Sequence, residues 1–136
     1  MTPGQYLQKR RVAAGLSLAE VVDRLAGQPV LFIRPTQRDV DRMLGRLRRI
    51  EANGDFLTPE QAEMMARIFP CAPQVYLQLA ALHHSGPGLD LPQPALCAKC
   101  ACSWTDPCTG PDGACAWTGP EQNLCSACDA IERKAA

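Results

Sequence analysis

Aromatic residues are scarce in this sequence, and aliphatic residues are concentrated at one end. Only 5% of the 136 residues are Phe, Trp or Tyr, although 46% are hydrophobic. Residues 1–84 are rich in Leu, Ala, Val, Arg and Gln, whereas residues 85–136 are dominated by Cys, Pro, Gly, Asp and Thr. Only the first part therefore has enough aliphatic side chains for a conventional hydrophobic core.

Long hydrophobic runs are absent as well. A membrane-spanning helix needs about 18 or more apolar residues in succession, and the sequence has no such window. Its N-terminus also lacks the basic, apolar and small-residue order of a signal peptide. We therefore expect a cytoplasmic protein without a membrane partner. In that reducing compartment, clustered cysteines are metal ligands rather than disulfides.

Motifs that indicate an enzyme are missing too. The sequence contains no phosphate-binding glycine loop, no serine nucleophile elbow and no acid and base residues at a matching spacing. These absences predict a binding protein rather than an enzyme, with no catalytic residues.

The formal net charge of zero conceals two parts of opposite sign. Residues 1–84 contain eleven Lys and Arg against eight Asp and Glu, a net charge of +3. Residues 85–136 contain three basic against six acidic residues, a net charge of −3. A polyanion would therefore meet the N-terminal part first.

Five helices are predicted in the N-terminal part. Capping signals mark three of their starts, at Ser17, at Thr36 or Asp39, and at Thr58. Gly or Pro residues mark most of the ends. The predicted spans are 5–14, 17–25, 36–52, 58–69 and 73–83. Two prolines enclose the apolar run 30–33 between the second and third helices, and we expect residues 26–35 to be a loop against the core.

The third predicted helix has an apolar side and an arginine side. With about 100° between successive residues, five apolar side chains share one side. They are Val40, Met43, Leu44, Leu47 and Ile50. Arginines lie opposite this stripe or flank it, and guanidinium groups suit phosphates and guanine. The candidate DNA-binding residues are Arg34, Arg38, Arg42, Arg46, Arg48 and Arg49.

Two stretches of this part resemble a known family. RVAAGLSLAEVV at residues 11–22 and RIEANG at residues 49–54 resemble the Xre (lambda-repressor-like) helix-turn-helix family over residues 3 to about 82. The resemblance implies an all-α, five-helix helix-turn-helix domain at residues 1–84, whose third helix enters the major groove of double-stranded DNA. An insertion within residues 26–38 separates this chain from the family pattern.

Residues 85–96 are predicted to be a semi-extended linker, because Pro and Gly recur through them. Seven cysteines follow in the pattern C-x2-C-x-C-x5-C-x6-C-x9-C-x2-C, which predicts a small irregular module at residues 97–130. The candidate metal ligands are Cys97, Cys100, Cys102, Cys108, Cys115, Cys125 and Cys128.

Zinc is the metal that this pattern favours. Two C-x2-C pairs can close a tetrahedron of thiolates around Zn²⁺, and a metal can order a segment that is too poor in aliphatic residues to fold alone. Seven cysteines exceed one site, so we expect one or two zinc ions. A second metal site can form from Cys102, Cys108 and Cys115 together with one thiolate shared with the first site. Alternatively, Asp106 or Asp112 can complete the ligands of that second site. An iron–sulfur cluster is the alternative.

Other residues of these types have structural interpretations. Trp104 and Trp117 are expected to pack over the sulfurs. We expect Cys71 to be a buried apolar residue rather than a ligand. His83 and His84 are expected at a helix end, where imidazolium is favoured by the helix dipole.

The cysteine-rich part has a resemblance of its own. Cys97–Cys102, then CAW at residues 115–117 and LCSAC at residues 124–128, are similar to a cysteine-rich motif of small phage and prophage proteins. This likeness spans residues 97–128. It implies a phage or mobile-element origin and no particular activity.

The sequence thus predicts a DNA-binding transcriptional regulator of phage or prophage type with a structural zinc module. A homodimer or a protein partner is a further expectation. The alternatives are a protein–protein adaptor, such as an anti-repressor or a host-factor binder, without specific DNA binding, and a redox sensor or small metalloenzyme. DNA titration separates the adaptor from the regulator, and a visible absorption spectrum separates a coloured cluster from zinc.

Overall fold

The computed structural model describes residues 1–28, 35–86, 92–110, 113–118 and 123–135. This described part is mostly helical, with six helices and four strands of two residues each. The helices are α1 (Pro3–Ala13), α2 (Leu18–Ala26), α3 (Gln37–Glu51), α4 (Pro59–Ala66), α5 (Pro73–Ser85) and α6 (Ser126–Ala135). The strands are β1 (Thr109–Gly110), β2 (Gly113–Ala114), β3 (Trp117–Thr118) and β4 (Leu124–Cys125). None of these helices is long and apolar enough to cross a membrane.

Helices α1 to α5 pack around one hydrophobic core. α1 contacts α3 and α5, α2 packs against α3, and α4 packs against α5. Two tyrosines, Tyr6 and Tyr76, are buried within this core. Their hydroxyl oxygens accept hydrogen bonds from backbone N–H groups, Tyr6 from Ala72 at 2.8 Å and Tyr76 from Leu57 at 2.9 Å. The core therefore encloses these hydroxyls without leaving them unpaired.

Capping boxes begin the first four helices. The boxes expected at Ser17, Thr36 and Thr58 are present, and Thr36 rather than Asp39 is the residue that caps α3. A further box at Thr2 begins α1 at Pro3, two residues before the predicted start. Each box satisfies backbone N–H groups that the helix itself leaves without an acceptor.

The ends of the helices differ modestly from the predicted ones. α4 ends at Ala66 rather than at residue 69, and the chain continues through a turn. α5 extends to Ser85, the first residue of the predicted linker. Residues 92–96 have no regular secondary structure, as expected for a linker. Residues 29–34 of the predicted loop, which include the candidate Arg34, lie outside the described residues, as do residues 87–91 of the predicted linker.

The apolar side predicted for the third helix is confirmed in α3. Leu47 and Ile50 are buried in the core, and Val40, Met43 and Leu44 pack against it. Because this side faces the other helices, the arginines of the opposite side lie toward solvent.

The cysteine-rich part, from Cys97 onward, packs directly on the helical part formed by α1 to α5. Ala101 is fully buried and belongs to the same hydrophobic core as α1 to α5, and Leu96 packs against that core. Arg10 of α1 forms an ion pair with Asp106 at 2.6 Å. The ammonium of Lys9 donates to the backbone carbonyl of Ala98. Both of these polar contacts come from α1.

The cysteine-rich part is more regular than the sequence predicts. β1 pairs with β2, and β3 pairs with β4, both antiparallel. α6 was not predicted; it packs against β3 and β4 and runs to Ala135, beyond residue 130. These short elements fix the backbone on either side of the cysteines.

Gly4, in the first turn of α1, lies against the end of α3. A Cβ atom there would come within 2.4 Å of the carbonyl oxygen of Glu51 and 2.5 Å of that of Ile50. The Gly4 N–H also donates to Asn53 Oδ1 at 2.9 Å, which holds the two backbones together. We expect Gly4→Ala to lower the free energy of unfolding by about 1–3 kcal/mol, because neither carbonyl can move aside cheaply. Urea denaturation followed by circular dichroism measures the change.

Gly45→Ala is the matched control. Gly45 lies in α3, and the nearest atom to a Cβ there is 3.9 Å away, on the flexible side chain of Arg49. Alanine should stabilise this helix by about 0.5–1 kcal/mol, because it has the higher helix propensity. Equal effects of the two substitutions would contradict the close approach at Gly4.

Candidate functional site

The cysteine sulfurs of the C-terminal part form one cluster. Cys97, Cys100, Cys102, Cys125 and Cys128 are buried together, and the remaining two cysteines, Trp117 and Leu124 pack around them. Sulfur atoms thus take the place that aliphatic side chains occupy in the helical core.

The first C-x2-C pair lies on a tight turn. The Cys97 N–H donates to the carbonyl of Cys102 at 3.0 Å, and the Ala101 N–H donates to the carbonyl of Cys97 at 2.9 Å. Ala101 has a φ of 59°, in the left-handed region that turns the chain back on itself. This turn directs the thiols of Cys97 and Cys100 toward the second pair.

The second C-x2-C pair lies where β4 passes into α6. Cys125 ends β4, and Cys128 lies in the first turn of α6. The Ser126 N–H donates to the carbonyl of Ala116 at 2.7 Å, and this bond holds the strand-to-helix junction against the preceding strand. Cys125 and Cys128 thereby face the turn that carries the first pair.

The two pairs together have the dimensions of a tetrahedral thiolate site. The sulfurs of Cys97, Cys100, Cys125 and Cys128 all lie within 4.8 Å of one another. A Zn–S distance of about 2.3 Å places the sulfurs of a tetrahedron about 3.8 Å apart. The Cys100 and Cys125 sulfurs are separated by 3.8 Å. These four residues can hold a metal ion.

A second group of four sulfurs overlaps the first. Cys100, Cys102, Cys108 and Cys125 also have sulfurs within 4.8 Å of one another. The sulfurs of Cys100 and Cys108 are 3.4 Å apart. Cys100 and Cys125 therefore belong to both groups.

Cys115 lies beside the second group. Its sulfur is 3.7 Å from that of Cys102 and accepts the N–H of Cys108 at 3.2 Å. The Cys115 N–H in turn donates to the carbonyl of Cys108 at 2.8 Å, which closes the hairpin of β1 and β2. All seven predicted ligands thus lie close together, and six of them fall into the two groups.

The pKa values of these thiols reflect their burial and their closeness to one another. Burial, reinforced by the neighbouring Cys100, raises the pKa of Cys102 and of Cys128 far above the usual range, and raises the pKa of Cys108 to about 12. Burial also opposes ionisation of Cys125, but the backbone N–H of Cys128 and adjacent thiols lower the pKa of Cys125 to about 6. A bound metal cation would favour the thiolate form of these groups, as ligation requires.

The two tryptophans differ in their surroundings. Trp117 is half-buried and packs against the cysteine cluster, as predicted. Trp104 does not pack over the sulfurs, because its side chain is 68% exposed. Its ring instead contacts Trp117, with 6.1 Å between the ring centroids.

Other candidates for metal ligation are placed elsewhere. Asp106 pairs with Arg10 and belongs to neither group of sulfurs, and Asp112 lies outside the described residues. Cys71 is buried in the helical core, as predicted, and burial raises its pKa to about 12. His83 and His84 lie in the last turn of α5 and pack against the ring of Phe56.

The arginines of α3 fall into two classes. Arg38, Arg42, Arg48 and Arg49 are exposed to solvent. Within the described part of the chain, these four form one ion pair, an exposed contact of 3.5 Å between Arg42 and Asp39.

Arg46 makes internal contacts instead. Its guanidinium donates to Asp55 at 3.1 Å, to Gln61 at 3.0 Å and to the carbonyl of Phe56 at 3.3 Å. These bonds join α3 to the loop before α4 and to α4 itself. Arg46 is therefore a structural residue in this arrangement, whereas the exposed arginines remain candidates for phosphate contact.

Two further arginines have structural roles that the sequence did not reveal. Arg11 forms a two-bond fork with Glu51, at 2.7 and 2.8 Å, and also donates to the carbonyl of Leu16. Arg10 is 4% exposed and joins Asp106 to the carbonyl of Pro70. No local pattern marks these partners, because they are distant in the sequence.

Comparison with known proteins gives no match. No family model, no curated protein and no solved structure is significantly similar to this chain. The geometry of the cysteine cluster and the exposed arginines of α3 therefore provide the basis for a functional interpretation.

Proposed function

We propose that this protein is a DNA-binding transcriptional regulator of phage or prophage type, whose cysteine-rich part is held together by zinc. The observation that carries the DNA-binding proposal is the row of exposed arginines on the side of α3 opposite the buried stripe. The convergence of two C-x2-C pairs on one tetrahedron supports zinc.

The zinc is proposed to be structural. Four thiolates around one ion leave no open coordination position for water or substrate. The site lies in a part of the chain with few aliphatic residues, where ligation supplies the folding energy that hydrophobic burial cannot. This use of the metal fits a regulator or an adaptor and gives no catalytic step.

The arrangement of α2 and α3 suits a helix-turn-helix. α2 packs against α3, and the core side of α3 is buried against the other helices. In a helix-turn-helix the second of these helices lies in the major groove while its partner braces it. Arg38, Arg42 and Arg49 are spaced so that they follow one side of α3, where guanidinium groups can reach successive phosphates or guanine edges.

DNA binding by this surface should depend steeply on salt and on each exposed arginine. We expect Arg42→Ala and Arg49→Ala each to weaken binding to duplex DNA about tenfold at 0.1 M salt, because each substitution removes the counterion release of about one phosphate contact. The slope of log K against log salt concentration should fall by about 1 for each residue. Fluorescence anisotropy with a labelled duplex at several salt concentrations measures both quantities.

Arg133→Ala is the matched control, since Arg133 is 77% exposed and lies on α6. Its substitution should leave DNA affinity and salt slope unchanged. If the protein binds no duplex even at low salt, the DNA-binding proposal is wrong and the adaptor becomes the better interpretation. If the Arg133 variant loses as much affinity as the α3 variants, the binding surface is not α3.

A further inference from the structure

We infer that the cysteine-rich part binds two metal ions in a single cluster and that both ions share the thiolates of Cys100 and Cys125. Cys97 and Cys128 complete the ligands of the first ion, and Cys102 and Cys108 complete those of the second. This inference rests on the zinc site of the proposed function and adds the number of ions and the ligands of each.

The geometry of the sulfurs carries the inference. Each of the two groups contains four sulfurs within 4.8 Å of one another, and the two groups have Cys100 and Cys125 in common. The distance between these shared sulfurs, 3.8 Å, equals the edge of a thiolate tetrahedron with a metal–sulfur distance of about 2.3 Å. Two tetrahedra that share this edge account for six of the seven cysteines.

The balance of charge supports two ions rather than one. Four thiolates around one divalent ion leave a formal charge of −2, and six thiolates around two ions leave the same charge of −2. The second ion therefore brings Cys102 and Cys108 into ligation without adding net negative charge to a buried site. With a single ion, Cys102 would remain a buried thiol, only 1% exposed, beside an anionic centre.

Cys115 is a supporting residue in this arrangement rather than a ligand. Its sulfur approaches Cys102 but belongs to neither group of four. It accepts the N–H of Cys108 and so helps to orient the loop that carries a ligand of the second ion. The arrangement with one shared thiolate and Cys115 as a ligand, which the sequence permits, is thus replaced by one with two shared thiolates.

The metal content of the purified full-length protein tests the number of ions. We expect elemental analysis to give two zinc ions per chain after gel filtration in metal-free buffer. One ion per chain would overturn the shared cluster and leave the single zinc site of the proposed function intact. No metal would overturn both. DNA binding is measured separately, so its failure does not affect this result.

Serine variants test which cysteines bind the second ion. Cys108→Ser should reduce the metal content from two ions to one, whereas the matched Cys115→Ser should retain two. The reverse result, with one ion in Cys115→Ser and two in Cys108→Ser, would overturn the ligand assignment.

Cadmium NMR of the wild-type chain tests the sharing without any substitution. Protein reconstituted with ¹¹³Cd²⁺ should give two resonances, coupled to each other through the common sulfurs. Two uncoupled resonances would show separate sites and overturn the inference, as would a single resonance.

Discussion

Removal of the metal should unfold the cysteine-rich part of this protein. The buried cluster of that part consists of sulfurs with one half-buried tryptophan and one leucine around them. A structural zinc site contributes on the order of 10 kcal/mol to folding, and apolar burial in this part has no comparable contribution to replace it. Near-ultraviolet circular dichroism of the Trp104–Trp117 pair, whose ring centroids are 6.1 Å apart, should lose its signal on exhaustive chelation.

The helical part provides the internal control for this experiment. Helices α1 to α5 have a hydrophobic core of their own, so most of the far-ultraviolet helical signal should survive chelation. Addition of zinc under reducing conditions should restore the near-ultraviolet signal. A near-ultraviolet spectrum unchanged by chelation, in protein shown to be free of metal, would contradict the role assigned to the metal.

Substitution of Arg10 should strongly lower the free energy of unfolding. Arg10 is 4% exposed and pairs with Asp106 at 2.6 Å, and its Nε donates to the carbonyl of Pro70 at 2.9 Å. The Asp106 oxygen in this pair is buried and has no hydrogen-bond donor of good geometry among the described residues. Arg10→Met would leave this carboxylate without its compensating charge. We expect a loss of about 3–5 kcal/mol in the free energy of unfolding, measured by urea denaturation.

Two further variants sharpen the test at Arg10. Arg133→Met removes an exposed ion pair with Asp129 and should cost less than about 1 kcal/mol. The double variant Arg10→Met, Asp106→Leu removes both buried charges and should recover most of the stability lost in Arg10→Met. If Arg10→Met is no more destabilising than Arg133→Met, the ion pair does not join the two parts of the protein.

The ion pair between Arg10 and Asp106 couples the cysteine cluster to the stability of the helical part. Asp106 lies between two ligands of the proposed second ion, Cys102 and Cys108, and Arg10 lies in α1 beside the helical core. Loss of the metal should therefore disturb the position of Asp106 and lower the stability of the helical part as well. The cysteine-rich part therefore stabilises the position of α1.

Local signals in the sequence predicted much of the helical part. The capping boxes at Ser17, Thr36 and Thr58 depend on residues three positions apart, so the sequence alone reveals them. The buried stripe of α3, which includes Leu47 and Ile50, follows from helical periodicity. The spacing of the cysteines likewise indicated that their thiols would gather.

Contacts between distant residues could not be predicted in the same way. The fork between Arg11 and Glu51 and the pair between Arg10 and Asp106 join residues far apart in the sequence. Arg46 was expected to face DNA, yet the structure places it against Asp55. A helical wheel shows which side of a helix a residue occupies but not which loop covers that side.

The cysteine pattern also left the sharing of ligands open. Seven cysteines permit several pairs of overlapping sites, and the choice among them depends on how the turn at Ala101 and the hairpin of β1 and β2 direct each thiol. α6, which starts within the cysteine motif, was not predicted either. Tertiary packing, rather than a local sequence pattern, determines both the sharing of ligands and the formation of α6.

Zinc-edge X-ray absorption of the purified protein tests whether its metal centre is made only of thiolates. We expect a first shell of four sulfurs at about 2.3 Å, with no nitrogen or oxygen ligand. A second zinc within about 4.6 Å is expected if the ions share sulfurs, because a bond of about 2.3 Å joins each ion to the shared sulfur. A first shell that contains nitrogen or oxygen would contradict the all-thiolate centre. Purified protein that contains no zinc would contradict it as well.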